Sequence, residues 1–142
     1  MLGEHGPKGV VSDIVAGRHL STLAFSESGS RSHFWAPVSS ARIEGDEAVL
    51  DAKKSWVTSA GQADSYVWSS RPVEADGPMT LWLVPSDAAG LSIPFEFEGM
   101  GLRGNASSPV TGEGVGCRRA PGSATTAPAW TSRSRRCCRT SS

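Results

Sequence analysis

Between Leu23 and Val115 the chain is a succession of short apolar runs, each cut off by glycine, proline or a cluster of small polar residues. Lys54–Thr58 and Asp64–Ser70 alternate polar and apolar side chains and are rich in aromatic and β-branched residues, the pattern of a half-covered strand. Ala41-Arg42-Ile43 leads through Glu44-Gly45-Asp46-Glu47, a tight turn, into Ala48-Val49-Leu50-Asp51. Met79–Val84 is almost continuously apolar, as in a strand buried on both faces. Leu91–Phe97 alternates again, with Ile93, Phe95 and Phe97 on one side and Ser92, Pro94 and Glu96 on the other. About five or six short strands at this spacing predict a mainly β fold, an antiparallel barrel or sandwich. Ahead of them, Val10–Leu20 reads as one short helix, with Ser12 as its N-cap and Ile14, Val15 and Leu20 as its apolar positions.

At 142 residues there is room for one domain of ordinary size. The 38 % hydrophobic content is low for a compact core, and 16 Gly with 9 Pro implies many turns. No apolar run approaches the roughly 18 residues of a membrane span. Met1–Lys8 lacks the charged-then-apolar build of a signal peptide, so a soluble cytoplasmic protein with no membrane partner is expected. The formal net charge of zero hides a division. All 14 acidic residues lie at or before Glu113 with only 8 Lys and Arg, a balance of −6, whereas six Arg and no acid follow Val115. A break of that kind is rarely the property of one folded unit.

The cysteines follow the same division, since Cys117, Cys137 and Cys138 all lie beyond Val115. Adjacent cysteines are poorly placed for a mutual disulfide, and no histidine follows at zinc-binding spacing, so no metal site is expected. Residues 116–142 are aperiodic Ser, Thr, Ala and Arg, a composition that predicts a disordered C-terminal tail. With Trp130 as its single aromatic, the tail does not read as a nucleic-acid-binding segment.

Two segments carry the chemistry: Leu23-Ala24-Phe25-Ser26-Glu27-Ser28-Gly29-Ser30 and Lys54-Ser55-Trp56-Val57-Thr58-Ser59-Ala60. Each is a short apolar run that stops in hydroxyl residues, like a strand end feeding a backbone-rich binding loop. In a regular strand Trp56 and Thr58 point to the same face, where an indole beside a hydroxyl suits a flat heteroaromatic ligand. The other reading of the pair is a core indole and a strand-end hydroxyl. His5, His19 and His33 are scattered and offer no catalytic base. Arg103 reads either as a structural arginine at a turn or as an ion-pairing or subunit-contacting group.

The two segments resemble the middle domain of the FAD-dependent acyl-CoA dehydrogenases. The family's loop runs aromatic-x-Thr-Glu-Pro-x-Ala-Gly-Ser-Asp, matched here by Ser26 to His33, and its later strand runs Lys-x-Trp-Ile-Thr-Asn, matched by Lys54 to Ser59. Three more stretches fit in order: Gly45–Ala52, then Leu81–Pro85 with Ala89–Ser92, then Gly99–Gly104. The resemblance implies a middle β-barrel domain over 23–115, preceded by a remnant of a helical N-terminal domain over 1–22. It implies FAD as cofactor, held by Phe25, Ser26, Glu27, Trp56, Val57 and Thr58, with Ser32 contacting the phosphate-bearing part of an acyl-CoA substrate. Ser28 in place of the family's proline loosens the loop, and Arg31 and His33 shift its charge toward positive.

The implied reaction is α,β-desaturation of an acyl-CoA thioester, with electrons passed on to an electron-transfer flavoprotein and the protein assembled as a homo-oligomer. The family's catalytic base comes from its C-terminal helical domain, so no residue of this chain is assigned as catalytic. Beyond Val115, one choice of codons read out of frame spells LPAGARLGDDGAGLDIALAAVLPHFL, which resembles the family's continuation. Trp130-Thr131 forces the second-frame Asp and Cys137-Cys138 forces the Leu, whatever codons are used. The tail over 116–142 is therefore expected to be frameshifted, and the chain a truncated enzyme inactive by itself. The alternative from another class is a non-catalytic β-barrel module for ligand binding or interaction.

Overall fold

The computed structural model describes residues 8–31, 33–45, 47–73, 79–101, 103–118 and 125–126. The first element, α1 (Lys8–Val15), begins and ends earlier than its apolar pattern predicts. Ser12 is therefore interior, not an N-cap, and its carbonyl accepts the Ala16 amide at 3.0 Å. What ends the helix is Gly17, at φ +71°. Its amide bonds to the Ile14 carbonyl at 3.0 Å and the Arg18 amide to the Asp13 carbonyl at 2.8 Å, so the last carbonyls are satisfied by a glycine cap. Among the described residues no helix is long and apolar enough to cross a membrane.

The strands that follow are β1 (Ser21–Ala24), β2 (Ala41–Glu44), β3 (Glu47–Val57), β4 (Ser65–Ser70), β5 (Thr80–Pro85), β6 (Leu91–Ser92), β7 (Ser108–Arg118) and β8 (Thr125–Thr126). They form two four-stranded sheets, in the orders β1-β4-β5-β8 and β2-β3-β7-β6. The expected mainly β, antiparallel architecture is what the chain adopts, with one exception: β1 runs parallel to β4. Reciprocal bonds at the strand starts fix that direction. The Leu20 amide donates to the Asp64 carboxylate at 2.7 Å, and the Asp64 amide donates back to the Leu20 carbonyl at 2.8 Å.

The main core lies between the sheets. Ala24, Tyr66, Trp68, Trp82 and Val84 from one meet Ala48, Leu50, Val57, Val110 and Val115 from the other. A smaller cluster of Phe25, Val67, Met79 and Leu81 covers the far face of β4 and β5. With both faces covered, every residue of β4 is buried, although its sequence alternates. Its serines are each used: Ser70 Oγ accepts the Trp82 indole N–H at 2.9 Å, and Ser65 Oγ lies 2.8 Å from His19 Nε2.

Three other expectations change. Ala48–Asp51 and Lys54–Thr58 are one strand, β3, paired along β7. Only Leu91–Ser92 of the Leu91–Phe97 alternation pairs, so Phe95 and Phe97 sit on an irregular segment. Finally, β7 continues past Val115 to Arg118, and Cys117 is a buried free thiol whose Sγ lies 3.4 Å from the Leu83 carbonyl oxygen. Cys137, Cys138 and most of the expected tail lie outside the described residues.

Candidate functional site

The fold brings the two chemically marked segments together. The Ser55 amide donates to the Ser26 carbonyl at 2.8 Å, Glu27 and Lys54 form an antiparallel bridge, and Thr22 Oγ1 donates to the Thr58 carbonyl at 2.8 Å. Beneath them lies an ion pair: Lys54 Nζ is 2.5 Å from Glu27 Oε1, with both side chains almost wholly buried. The ammonium also donates to the Ser69 carbonyl at 2.7 Å and Ser69 Oγ at 3.1 Å, and it stands 5.1 Å from the centre of the Trp68 ring. Glu27 Oε2 accepts the Val38 and Ser39 amides at 2.6 and 2.9 Å, while Oε1 also accepts the Ser39 hydroxyl.

Burial pushes Lys54 down to about 8, and the hydrogen bond and charge of Glu27 oppose the shift without cancelling it. Burial works to raise Glu27, but hydrogen bonds from Lys54 and Ser39 and the lysine charge outweigh it and hold the carboxyl below its ordinary value. Glu27 is thus an ionised carboxylate turned inward.

Trp56 is placed by an irregularity in β3. Ala48, Leu50 and Lys54 face the core at even spacing, but the next inward residue is Val57, three positions on. The register against β7 shifts between Lys54 and Val57, and Trp56 takes the left-handed conformation at φ +57°. The break in alternation lies between Lys54 and Val57, and Trp56 and Thr58 both stay exposed on either side of the buried Val57. Trp56 is 69 % exposed and so is no core indole. It stacks on Phe97, ring centres 4.3 Å apart at 24°, and Phe95 meets Phe97 edge-on at 5.6 Å. These rings border a groove of about 700 Å³ that also takes in Glu96, Glu98 and Arg103. Arg103 Nε donates to the Gly99 carbonyl at 2.8 Å, the structural turn role.

Of the other residues singled out in the sequence, Phe25 is buried in the smaller cluster and Val57 in the main core. Ser26 is half-buried beside Ser55, and Thr58 is exposed at the end of β3. Ser32 lies outside the described residues. The sequence marked Phe97 only as a strand position and did not mark Ser39 or Ser69. Lys54 carried a signal: a lysine in phase with Ala48 and Leu50 on the inward face needs a buried carboxylate.

Residues 22–115 match the sequence profile of the acyl-CoA dehydrogenase middle domain. The chain belongs to the acyl-CoA dehydrogenase family. It is 30 % identical over 101 residues to the human mitochondrial short-chain specific acyl-CoA dehydrogenase, covering 69 % of this chain and 24 % of that protein. A bovine relative, the mitochondrial short/branched chain specific acyl-CoA dehydrogenase, is 28 % identical over 120 residues, covering 81 % of this chain and 28 % of its own. The chain therefore spans about a quarter of the length of these curated relatives. Among solved structures, an FAD-dependent dehydrogenase superposes with a TM-score of 0.74 at 27 % identity, over 88 % of this chain and 35 % of that one. A glutaryl-CoA dehydrogenase of Mycobacterium smegmatis in complex with FADH2 has the same fold, with a TM-score of 0.71 at 21 % identity over 82 % of this chain and 30 % of that one. The family is one of flavoprotein oxidoreductases.

Proposed function

We propose that this chain supplies one wall of the FAD and acyl-CoA site of an acyl-CoA dehydrogenase. The observation that carries the reading is Trp56: an indole held outward at positive φ, a conformation that costs a bulky residue of order 1–3 kcal/mol. Such strain is retained where a side chain must be presented, and a flat exposed indole fits a flat isoalloxazine. Trp56 would pack on the ring system and the Thr58 hydroxyl would hydrogen-bond its edge. Ser26 and the backbone of Phe25 to Glu27 would border it from the other loop, with Ser32 near the phosphates of the substrate. When bound, the flavin supplies the acceptor for the hydride that leaves the β-carbon of an acyl thioester.

The chain's own residues bind, orient and exclude water in this reading. Glu27 is committed to Lys54 and two amides, so it is not the base that removes the α-proton, and that role falls outside the matched domain. The 142-residue chain is accordingly inactive by itself. In the whole protein the electrons pass to an electron-transfer flavoprotein. A β-domain serving only as a non-catalytic binding module is the second reading, and the same groove would be its site.

The test is to read the coding DNA past Val115, restore the second frame, and assay the longer protein for bound flavin and acyl-CoA-dependent dye reduction. Both activities are expected. An absence of any open second frame would remove the frameshift, and a restored protein that holds neither flavin nor acyl-CoA would remove the enzymatic reading.

A further inference from the structure

We propose that the buried Glu27–Lys54 pair is a positioning element that closes the loop from Glu27 to Ser39 and holds the bulge presenting Trp56. What Trp56 is presented to rests on the flavin reading above; the positioning itself does not.

The loop has little packing of its own. Three successive turns shape it, with the Ser30 amide on the Glu27 carbonyl, His33 on Ser30 and Ala36 on His33, at 3.1, 2.9 and 2.9 Å. Its described residues between Ser28 and Ala36 are exposed except Ser30. The far end of the loop is held by the Arg71 amide on the Ser39 carbonyl at 2.8 Å and by the Glu27 carboxylate, which takes the Val38 and Ser39 amides on one oxygen and the Ser39 hydroxyl and Lys54 on the other. A carboxylate offers about four acceptor positions, and all are used. The lysine is equally complete, its three hydrogens meeting Glu27, the Ser69 carbonyl and Ser69 Oγ.

Lys54 is also the last regular inward residue of β3. Pinned inward, and with Val57 buried three positions later, it leaves one residue too many between them. The Ser55 amide is held by the Ser26 carbonyl, so the displaced residue is Trp56. An apolar pair of similar volume generally serves stability as well as a buried ion pair or better. The combination of full hydrogen bonding, loop closure and an adjoining strained bulge points to placement.

The 142-residue chain tests this by NMR. The indole N–H of Trp56 is assigned by its loss in Trp56→Phe, and the Trp82 indole, bonded to Ser70 in the main core, serves as reference. In Glu27→Gln and Lys54→Met the Trp56 resonance is expected to move and its contact with Phe97 to weaken, while the Trp82 resonance holds. The Val38 and Ser39 amides should exchange roughly tenfold faster or more. The neutral double variant Glu27→Gln/Lys54→Met should regain much of the unfolding midpoint without restoring the Trp56 signal. A Trp56 signal that stays put in the single variants, or that returns with stability in the double variant, would overturn the proposal. Should the single variants not fold, Ser39→Ala removes one hydroxyl only; a smaller shift in the same direction is expected, and no shift counts against the pair. Flavin uptake by the frame-restored protein is measured separately, and its failure would count against the flavin reading while leaving the Trp56 result to stand.

Discussion

At the scale of single residues, the energetics concentrate in two side chains of β3. Lys54 is held with no exposure because each ammonium hydrogen has an acceptor. Lys54→Met leaves the Glu27 charge buried without its counterion, and a cost of about 3–5 kcal/mol is expected in urea unfolding. The pH dependence follows from Glu27. Its carboxyl titrates lower in the folded chain than in the unfolded one, so its contribution is complete above the ordinary carboxylate range and disappears as pH falls through the depressed value. The stability gap between wild type and Glu27→Gln should therefore narrow from neutral pH into the acid range; a gap that widens would contradict the assignment. Trp56 is the opposite case. Trp56→Gly removes the stack on Phe97 but relieves the positive φ, so stability should stay within about 1 kcal/mol of wild type. A core tryptophan truncated so far would cost roughly 3–5 kcal/mol.

At the scale of elements, most strands were legible because each is a short run with its own period and its own turn. The Glu44-to-Glu47 hairpin is an example, joined through Gly45 at φ +64°. What escaped the sequence depends on distant partners. The alternation of Ser65–Ser70 suggests one covered face, yet a second cluster covers the other. The parallel pairing of β1 is set by Leu20 meeting Asp64, 44 positions away. Glu27 lined up with its family loop, but its carboxylate's inward turn depends on a lysine 27 positions on. The bulge at Trp56 likewise follows from where Lys54 and Val57 are anchored, which no local period reveals. Gly90 shows a comparable long-range demand: it sits at φ +85°, and a Cβ there would lie 2.2 Å from the Glu113 carbonyl oxygen. Gly90→Ala is expected to destabilise by more than about 1 kcal/mol, read from the midpoint of thermal unfolding.

For the whole molecule, two sheets close over a core of tryptophans, tyrosine and small aliphatics, and one margin carries the exposed rings of Trp56 and Phe95 with the half-buried Phe97 between them around a groove. In the proposed flavin wall this margin is the binding face, with Trp56 held outward by the bulge in β3. The most direct measurement is flavin affinity in the frame-restored protein, wild type against Trp56→Ala, by flavin fluorescence titration. Loss of an aromatic stacking platform is worth about 1–3 kcal/mol, so binding should weaken by roughly fivefold to more than a hundredfold. Equal affinity in the two proteins would contradict the claim that Trp56 forms the flavin wall.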